Sequence, residues 1–393
     1  MTTALLTAAP TPDIGAVLAA SALRPTVVFG CSGPDAQPDG HDQRTKASVA
    51  RSLADLLELE FGGLHDPAEH AGRPLYVVPG QTLTSLQAAR ELGIESPDHF
   101  FGGVVPHPFV ATKLITHPLV RPGAQAPRGW SAAYGEAVRP VVLPGYSVFA
   151  PEDARTAAER LLEHGGVRLK NPDGVGGLGQ QVIEDMASLE AWLDETDPQA
   201  LRTHGVVLER NLSQVETLSV GQVRAGRWLA SYVGTQSLTR NHRGHEVYGG
   251  STLTVVLGDF EALQQIGLAA PFATAVEQAL TYHRAAARCY PGWLATRANY
   301  DIAQGLDAQG QWQSGVLEQS WRIGGASGAE VAALHAFKAQ PWRRVVRAST
   351  HEVYEEDAPV PPGAQVHYDG VDCHVGRVVK YVTVEENEAH ADD

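Results

Sequence analysis

The stretch Val206-Val207-Leu208-Glu209-Arg210-Asn211-Leu212, running on through Ser213-Gln214-Val215 into Glu216-Thr217-Leu218-Ser219-Val220, decides how the rest of this chain is read. A short apolar, β-branched run ends on a carboxylate, a polar connection follows, and a second strand opens on another carboxylate. Ionised carboxylates only accept hydrogen bonds, so Glu209 at a strand end and Glu216 at a strand start suit a ligand rich in N–H and O–H donors. Two surface charges flanking a turn are the plain alternative.

Toward the N-terminus, Val167-Arg168-Leu169-Lys170 reads as a strand that delivers a lysine at its end, and a loop with Gly174, Gly176, Gly177 and Gly179 follows at once. Without Cβ obstruction, backbone amides in such a loop can approach phosphate oxygens while the Lys170 ammonium neutralises their charge. This is a phosphate clamp in outline; a hairpin turn beside an exposed lysine is the other reading. No Gly-Lys-Ser/Thr opens a helix here, so the loop is not a Walker sequence, and the earlier loop from Ser32 to Gly40 lacks the three-glycine Rossmann spacing.

Toward the C-terminus, Arg297-Ala298-Asn299-Tyr300-Asp301-Ile302-Ala303 and Val316-Leu317-Glu318-Gln319-Ser320-Trp321-Arg322 bracket the turn residues Asp307 and Gly310 and read as a hairpin. Centred on Gln309-Gly310, it sets Asp301 nearly opposite Glu318 on one face. Paired carboxylates repel, which makes a divalent cation their natural companion, and Mg²⁺ prefers oxygen ligands and phosphate.

Taken in this order, from about Thr26 to Glu330, these segments resemble the ATP-grasp superfamily, in particular its carboxylate-amine ligases. The resemblance implies an α/β chain with the ATP-grasp fold, in which an open α/β N-terminal subdomain is followed by two α+β subdomains enclosing ATP. It implies that Glu209 accepts from the adenine amino group, that the backbone around Arg210 and Leu212 pairs with the ring edge, and that Glu216 holds ribose hydroxyls. Lys170, and Lys113 within Ala111-Thr112-Lys113-Leu114, would meet the phosphates; Asp301, Glu318 and Ser320 would hold Mg²⁺; Arg322 would steady an oxyanion. Serine at 320 departs from the family, which usually has asparagine there, and a hydroxyl reaches less far than an amide oxygen. The implied cofactors are ATP and Mg²⁺, and the implied partners are a small-molecule or peptide carboxylate, activated as an acyl phosphate, and an amine or similar nucleophile. A non-catalytic ATP-binding protein and a small-molecule kinase of the same fold are the alternatives.

The remaining features bound this reading. At 393 residues the chain exceeds one ordinary core, and its segments divide it into an arm (1–25), an open α/β unit (26–140), an ATP-grasp domain (141–340), a C-terminal appendage (341–384) and an acidic tail (385–393). A formal charge of −15 opposes general binding to nucleic acid or anionic lipid. No run approaches the ~20 apolar residues of a membrane span. Cys31, Cys289 and Cys373 are an odd number without CxxC spacing, which fits a reducing cytoplasm. Among the cations of Thr239 to His245, Arg240 and Arg243 are expected to meet substrate, as is Asn299; a homodimer stays open as the assembly.

Overall fold

A computed structural model describes residues 24–30, 39–172, 174 and 179–385. Most of the expected arm, Gly176, Gly177 and all of the acidic tail but Glu385 lie outside the described residues.

The chain begins with a three-stranded parallel sheet. Its centre is β1 (Thr26–Phe29), flanked by β2 (Glu60–Leu64) and β3 (Leu75–Val78), with α1 (His41–Leu57) as the crossover from β1 to β2. Strands β1 and β3 fall where the apolar runs place them. β2 has the sequence Glu-Phe-Gly-Gly-Leu, which lacks both alternation and a β-branched run, and it is a strand because it pairs with β1. A two-residue strand, β4 (Gly103–Val104), leads to two 3₁₀ turns, Pro108–Ala111 and Lys113–Thr116.

The second layer is a four-stranded antiparallel sheet in the order β5-β8-β6-β7: β5 (Gly145–Val148), β6 (Val167–Lys170), β7 (Gln180–Ile183) and β8 (Val206–Arg210). The helices α2 (Pro151–Leu162), α3 (Met186–Glu195) and α4 (Pro198–His204) cover it, and Val167, Leu169, Val206 and Leu208 pack against Ala154, Ala158, Leu161 and Leu189. Pro151 opens α2 where the missing N–H costs nothing.

The third and largest layer is an eight-stranded sheet. After β9 (Ser213–Ala225), β10 (Trp228–Arg240) and β11 (Glu246–Leu257) come α5 (Ala270–Cys289), β12 (Leu294–Ala295), β13 (Arg297–Leu306), β14 (Trp312–Ser320), α6 (Ser327–Ala339), β15 (Val345–Val353), β16 (Gln365–Asp372) and β17 (Gly376–Val384). The strand order is β14-β13-β9-β10-β11-β15-β17-β16. Residues 341–384, expected as an appendage, therefore supply three strands of this sheet. β15 pairs with β11 over Gly250 to Val256, so the segment is continuous with the sheet that carries the acid pair.

Strand alternation sorts the sheet's two faces. Leu218, Val220, Ala298, Tyr300, Ile302 and Val316 turn to one core with Tyr282, Ala279 and Ala286 of α5. The opposite face meets α1 and α6 through Val223, Ala230, Tyr232, Leu253 and Val255. The intervening residues Ser219, Asn299 and Asp301 therefore face away from α5, toward α1 and α6.

Candidate active site

Asp301 and Glu318 are direct partners across the β13–β14 hairpin. The register is less regular than the spacing suggests: Leu306 pairs with Trp312 and Ile302 with Val316, and an extra residue, Leu317, makes a β-bulge that brings Glu318 opposite Asp301. Asp301 Oδ1 accepts from Asn299 Nδ2 at 2.9 Å and from Gln236 Nε2 at 2.8 Å. Burial, and next the charge of Glu318, raise its pKa from 3.8 to about 6, against the opposing pull of Asn299, Arg297 and Gln236. Glu318 Oε2 lies 2.9 Å from Lys113 Nζ, which also donates to Gly174 O at 2.8 Å. Thus Lys113, expected at phosphates, joins the acid pair to Gly174, at the near end of the glycine loop.

The two acids fit a divalent cation. Among the described residues nothing donates to Asp301 Oδ2 or Glu318 Oε1, and hard oxygen pairs of this kind are what Mg²⁺ accepts when water and phosphate fill its other positions. Ser320 fits less well. Its Oγ accepts from Arg297 Nη1 at 3.2 Å, and a guanidinium so close disfavours a metal ion on the same oxygen.

Behind the pair lies a buried network that sequence reasoning missed. Arg297 (2% exposed) and Glu330 (0%) form an ion pair at 2.7 Å. Arg297 Nη1 also donates to Ser320 O at 3.1 Å and Arg322 O at 2.7 Å, clamping the end of β14. Tyr232 OH donates to Glu330 Oε1 at 2.6 Å and lies 2.9 Å from Asn299 Oδ1. Asn299, expected at substrate, thereby positions Asp301. An arginine four residues before an acid on a strand was the available signal.

Two cavities meet at the hairpin end. One, about 540 Å³, is lined by Lys113, Pro172, Gly174, His204, Thr82 and Thr112 among others. The second, about 400 Å³, is walled by α1, β15, β17 and the start of α6. Among the described residues they share only Glu318, Ser320 and Arg322.

Several expected nucleotide contacts are placed otherwise. Glu209 is 1% exposed, ion-paired with Lys170 and bonded to His117 Nε2 at 3.0 Å, so neither its carboxylate nor the Lys170 ammonium (3% exposed) is open to a ligand here. Burial alone would raise the Glu209 carboxyl, but Lys170 and His117 outweigh it and hold it at about 2. Arg210 N donates to Pro144 O at 2.8 Å, and Leu212 packs with Leu143, Ala303 and Leu317, which engages the hinge groups expected at the adenine edge. Glu216 is exposed opposite Gln304, and Gly179 is exposed. Arg240 and Arg243 stand on the exposed β10–β11 turn and line neither cavity, because the hairpin carries its tip away from the acid pair.

A chain-length match settles the family. This chain belongs to the DUF3182 family. That family, described as protein of unknown function, matches residues 29–382. No curated protein matches the sequence. The solved biotin carboxylase domain of 2-oxoglutarate carboxylase from Hydrogenobacter thermophilus, complexed with MgADP, ADP and bicarbonate, is similar over 92% of this chain and 86% of its own, with 12% identity and a TM-score of 0.51. Carboxyaminoimidazole ribonucleotide synthase from Aspergillus clavatus, complexed with ATP, is similar over 92% of this chain and 94% of its own, with 14% identity and a TM-score of 0.48. This DUF3182 member has the ATP-grasp fold.

Proposed function

We propose that this chain is an ATP- and magnesium-dependent ligase that activates the carboxylate of a small molecule or peptide as an acyl phosphate for attack by an amine or similar nucleophile. The observation that carries this reading is the Asp301–Glu318 pair, held in register where two cavities meet and tied by Lys113 to the glycine loop. The ATP-grasp fold, and the MgADP complex of the similar biotin carboxylase domain, support the nucleotide half.

In this reading Asp301 and Glu318 hold Mg²⁺, which neutralises phosphate charge when bound. Asn299 and Gln236 hold Asp301 so that Oδ2 stays open. Lys113 passes from Glu318 to phosphate, and Lys170 follows if Glu209 releases it. The γ-phosphoryl group moves to a carboxylate oxygen as its bond to ADP breaks. The amine then attacks the carbonyl carbon, phosphate leaves with the bonding pair, and the amine loses its proton. Arg322 steadies the oxyanion, while Gly174 and Gly179, without a Cβ, let the backbone approach phosphate oxygens. Glu216 and the hinge at Arg210 and Leu212 serve the nucleoside once the hinge opens. A cytoplasmic location and soluble substrates accord with this chemistry, and among the described residues no helix is long and apolar enough to cross a membrane.

The test is ADP release against pools of carboxylates and amines, with product mass measured. A ligated product supports the ligase; a stable phosphorylated product makes the chain a kinase. One observation favours a second reading, ATP binding without turnover: Ser320 is bonded to Arg297, which leaves two acids for metal. ATP affinity with no ADP release from any pool would decide for it.

A further inference from the structure

The 400 Å³ chamber has a built wall of its own. Most of its charged lining is matched internally: Lys46 Nζ lies 2.7 Å from Asp42 Oδ2, Lys380 Nζ 2.9 Å from Glu352 Oε1, and Arg297 pairs with Glu330. Tyr248 OH is bonded to Ser251 and Thr350. Beside the metal acids, two lining groups are left over. Arg322 forms no ion pair among the described residues and uses only Nη1, toward Ile323 O at 3.0 Å, so its Nε and Nη2 stay open. His367 is 9% exposed, and its Nε2 has no hydrogen-bond partner among the described residues. Such an orphan asks for an explanation.

The backbone goes out of its way to place it. Register between β16 and β17 steps from Val366 opposite Tyr381 to Tyr368 opposite Lys380, so His367 is the extra residue of a β-bulge. Strict alternation would turn one of His367 and Tyr368 outward, yet both are buried. Bulges re-aim side chains in this way beside functional sites. Gly328 completes the arrangement, since a Cβ there would lie 3.0 Å from His367 Cε1 and 2.7 Å from Val382. Burial lowers the imidazole to about 4, so it is neutral near pH 7.

We propose that this chamber binds the acid to be activated, and that this acid is a compact monocarboxylate bearing a neutral hydroxyl or amide group. Its carboxylate lies on the Nε–Nη2 edge of Arg322 and its neutral polar group on His367 Nε2. The proposal rests on the ligase reading for the word "activated" alone; the binding site stands on the lining. Carboxylate on a guanidinium edge is a strong, directional pairing. With Asp301 and Glu318 given to the metal, a second charge on the ligand would be buried among lysines and acids already paired with each other, with no counter-charge to meet it. A cavity of this size suits a small metabolite-sized molecule.

The test is calorimetry on the full chain with MgADP, titrating lactate, glycerate and glycolate against propionate, alanine and succinate. The hydroxy acids are expected to bind more tightly than the other three. His367→Phe should weaken the hydroxy acids about tenfold, the scale of one buried hydrogen bond, and leave propionate unchanged. His367→Gln, which keeps a neutral hydrogen-bonding group, should restore most of the loss and guards against misfolding. Tighter binding of alanine or succinate, an equal loss for propionate, or no binding of any acid would overturn the proposal. Hydroxy-acid binding that depends on His367, without ADP release when hydroxylamine is the nucleophile, would sink the ligase and leave the chamber assignment standing.

Discussion

Lowering the pH perturbs the acid pair without touching the sequence, and the structure fixes the sign. Asp301 titrates at about 6 in the folded chain, against 3.8 unperturbed, because of burial and the nearby Glu318. Between those values the folded chain binds more protons than the unfolded one. Ionised Asp301 therefore costs stability at pH 7, about 3 kcal/mol for a shift of about two units, and the cost is relieved as the pH falls through about 6 toward 4. A divalent cation relieves it at neutral pH instead. With a pKa of about 6, roughly nine-tenths of Asp301 is ionised at pH 7 and roughly one-tenth at pH 5, so affinity for Mg²⁺ should fall about tenfold between them. Binding near pH 6 should release about half a proton per ion. Calorimetric titration of the nucleotide-free chain in buffers of different ionisation enthalpy reads both quantities, with Asp301→Asn as the blank. Glu318→Gln removes the repulsion, so it should weaken the ion and also move the profile to lower pH. A flat affinity from pH 5 to pH 7, or a profile that Glu318→Gln leaves in place, would refute the electrostatic argument.

Four further outcomes follow from the same geometry. Lys113→Met frees Glu318 and Gly174 O, so Mg²⁺ affinity of the nucleotide-free chain should rise while ATP affinity falls; calorimetry reads both. Lys170→Met leaves Glu209 buried with His117 alone and should cost about 3–5 kcal/mol in urea unfolding, most of it recovered by adding Glu209→Leu; because Glu209 is held at about 2 against 4.5 unperturbed, the pair's stabilisation is fully present above pH 4.5 and is lost as the pH falls from there through about 2. Arg297→Met should cost a similar ~3–5 kcal/mol and lower Mg²⁺ affinity, with Arg297→Met/Glu330→Leu restoring stability but not metal binding. Ser320→Asn puts a longer-reaching amide oxygen where the hydroxyl stands, so Mg²⁺ affinity or activity should rise if the metal site limits turnover; a fall in both would show that Arg297 needs the hydroxyl.

The elements legible in the sequence are those whose signal is local. β1, β3 and β6 begin and end where their apolar runs do, and Pro151 marks the start of α2. The strands that were not legible, β2, β11 and β15, owe their conformation to neighbours. β11 carries Gly249 and Gly250, where its register with β10 slips by one residue, and it is held as a strand by β10 on one side and β15 on the other. The same dependence governs residues 345–384, since no local signal tells a strand which sheet it will join.

The site divides along the same line. Asp301 and Glu318 could be paired from hairpin arithmetic alone, although the pairing holds only because Leu317 bulges, which shifts the register by one residue. Lys170 ends β6 and Glu209 stands one residue before the end of β8, but whether such a pair faces a ligand or each other depends on sheet order. Here β6 and β8 are adjacent and antiparallel, so the ammonium and the carboxylate meet in the interior with His117 from the preceding turn. For ATP to reach Lys170 this triad must open, and the cost of leaving Glu209 without its lysine must then be met by phosphate on the ammonium and by the remaining hydrogen bond between Glu209 and His117. The chamber was beyond reach for a further reason. Lys46, Arg322 and His367 come from three separate parts of the chain, and the bulge that turns His367 inward leaves no mark in Val366-His367-Tyr368. A pattern of period two in that segment would have pointed either His367 or Tyr368 outward. Only pairing with β17 shows that both are buried, and with it that β16, the outermost strand of the sheet, reaches back to the acid pair's own cavity.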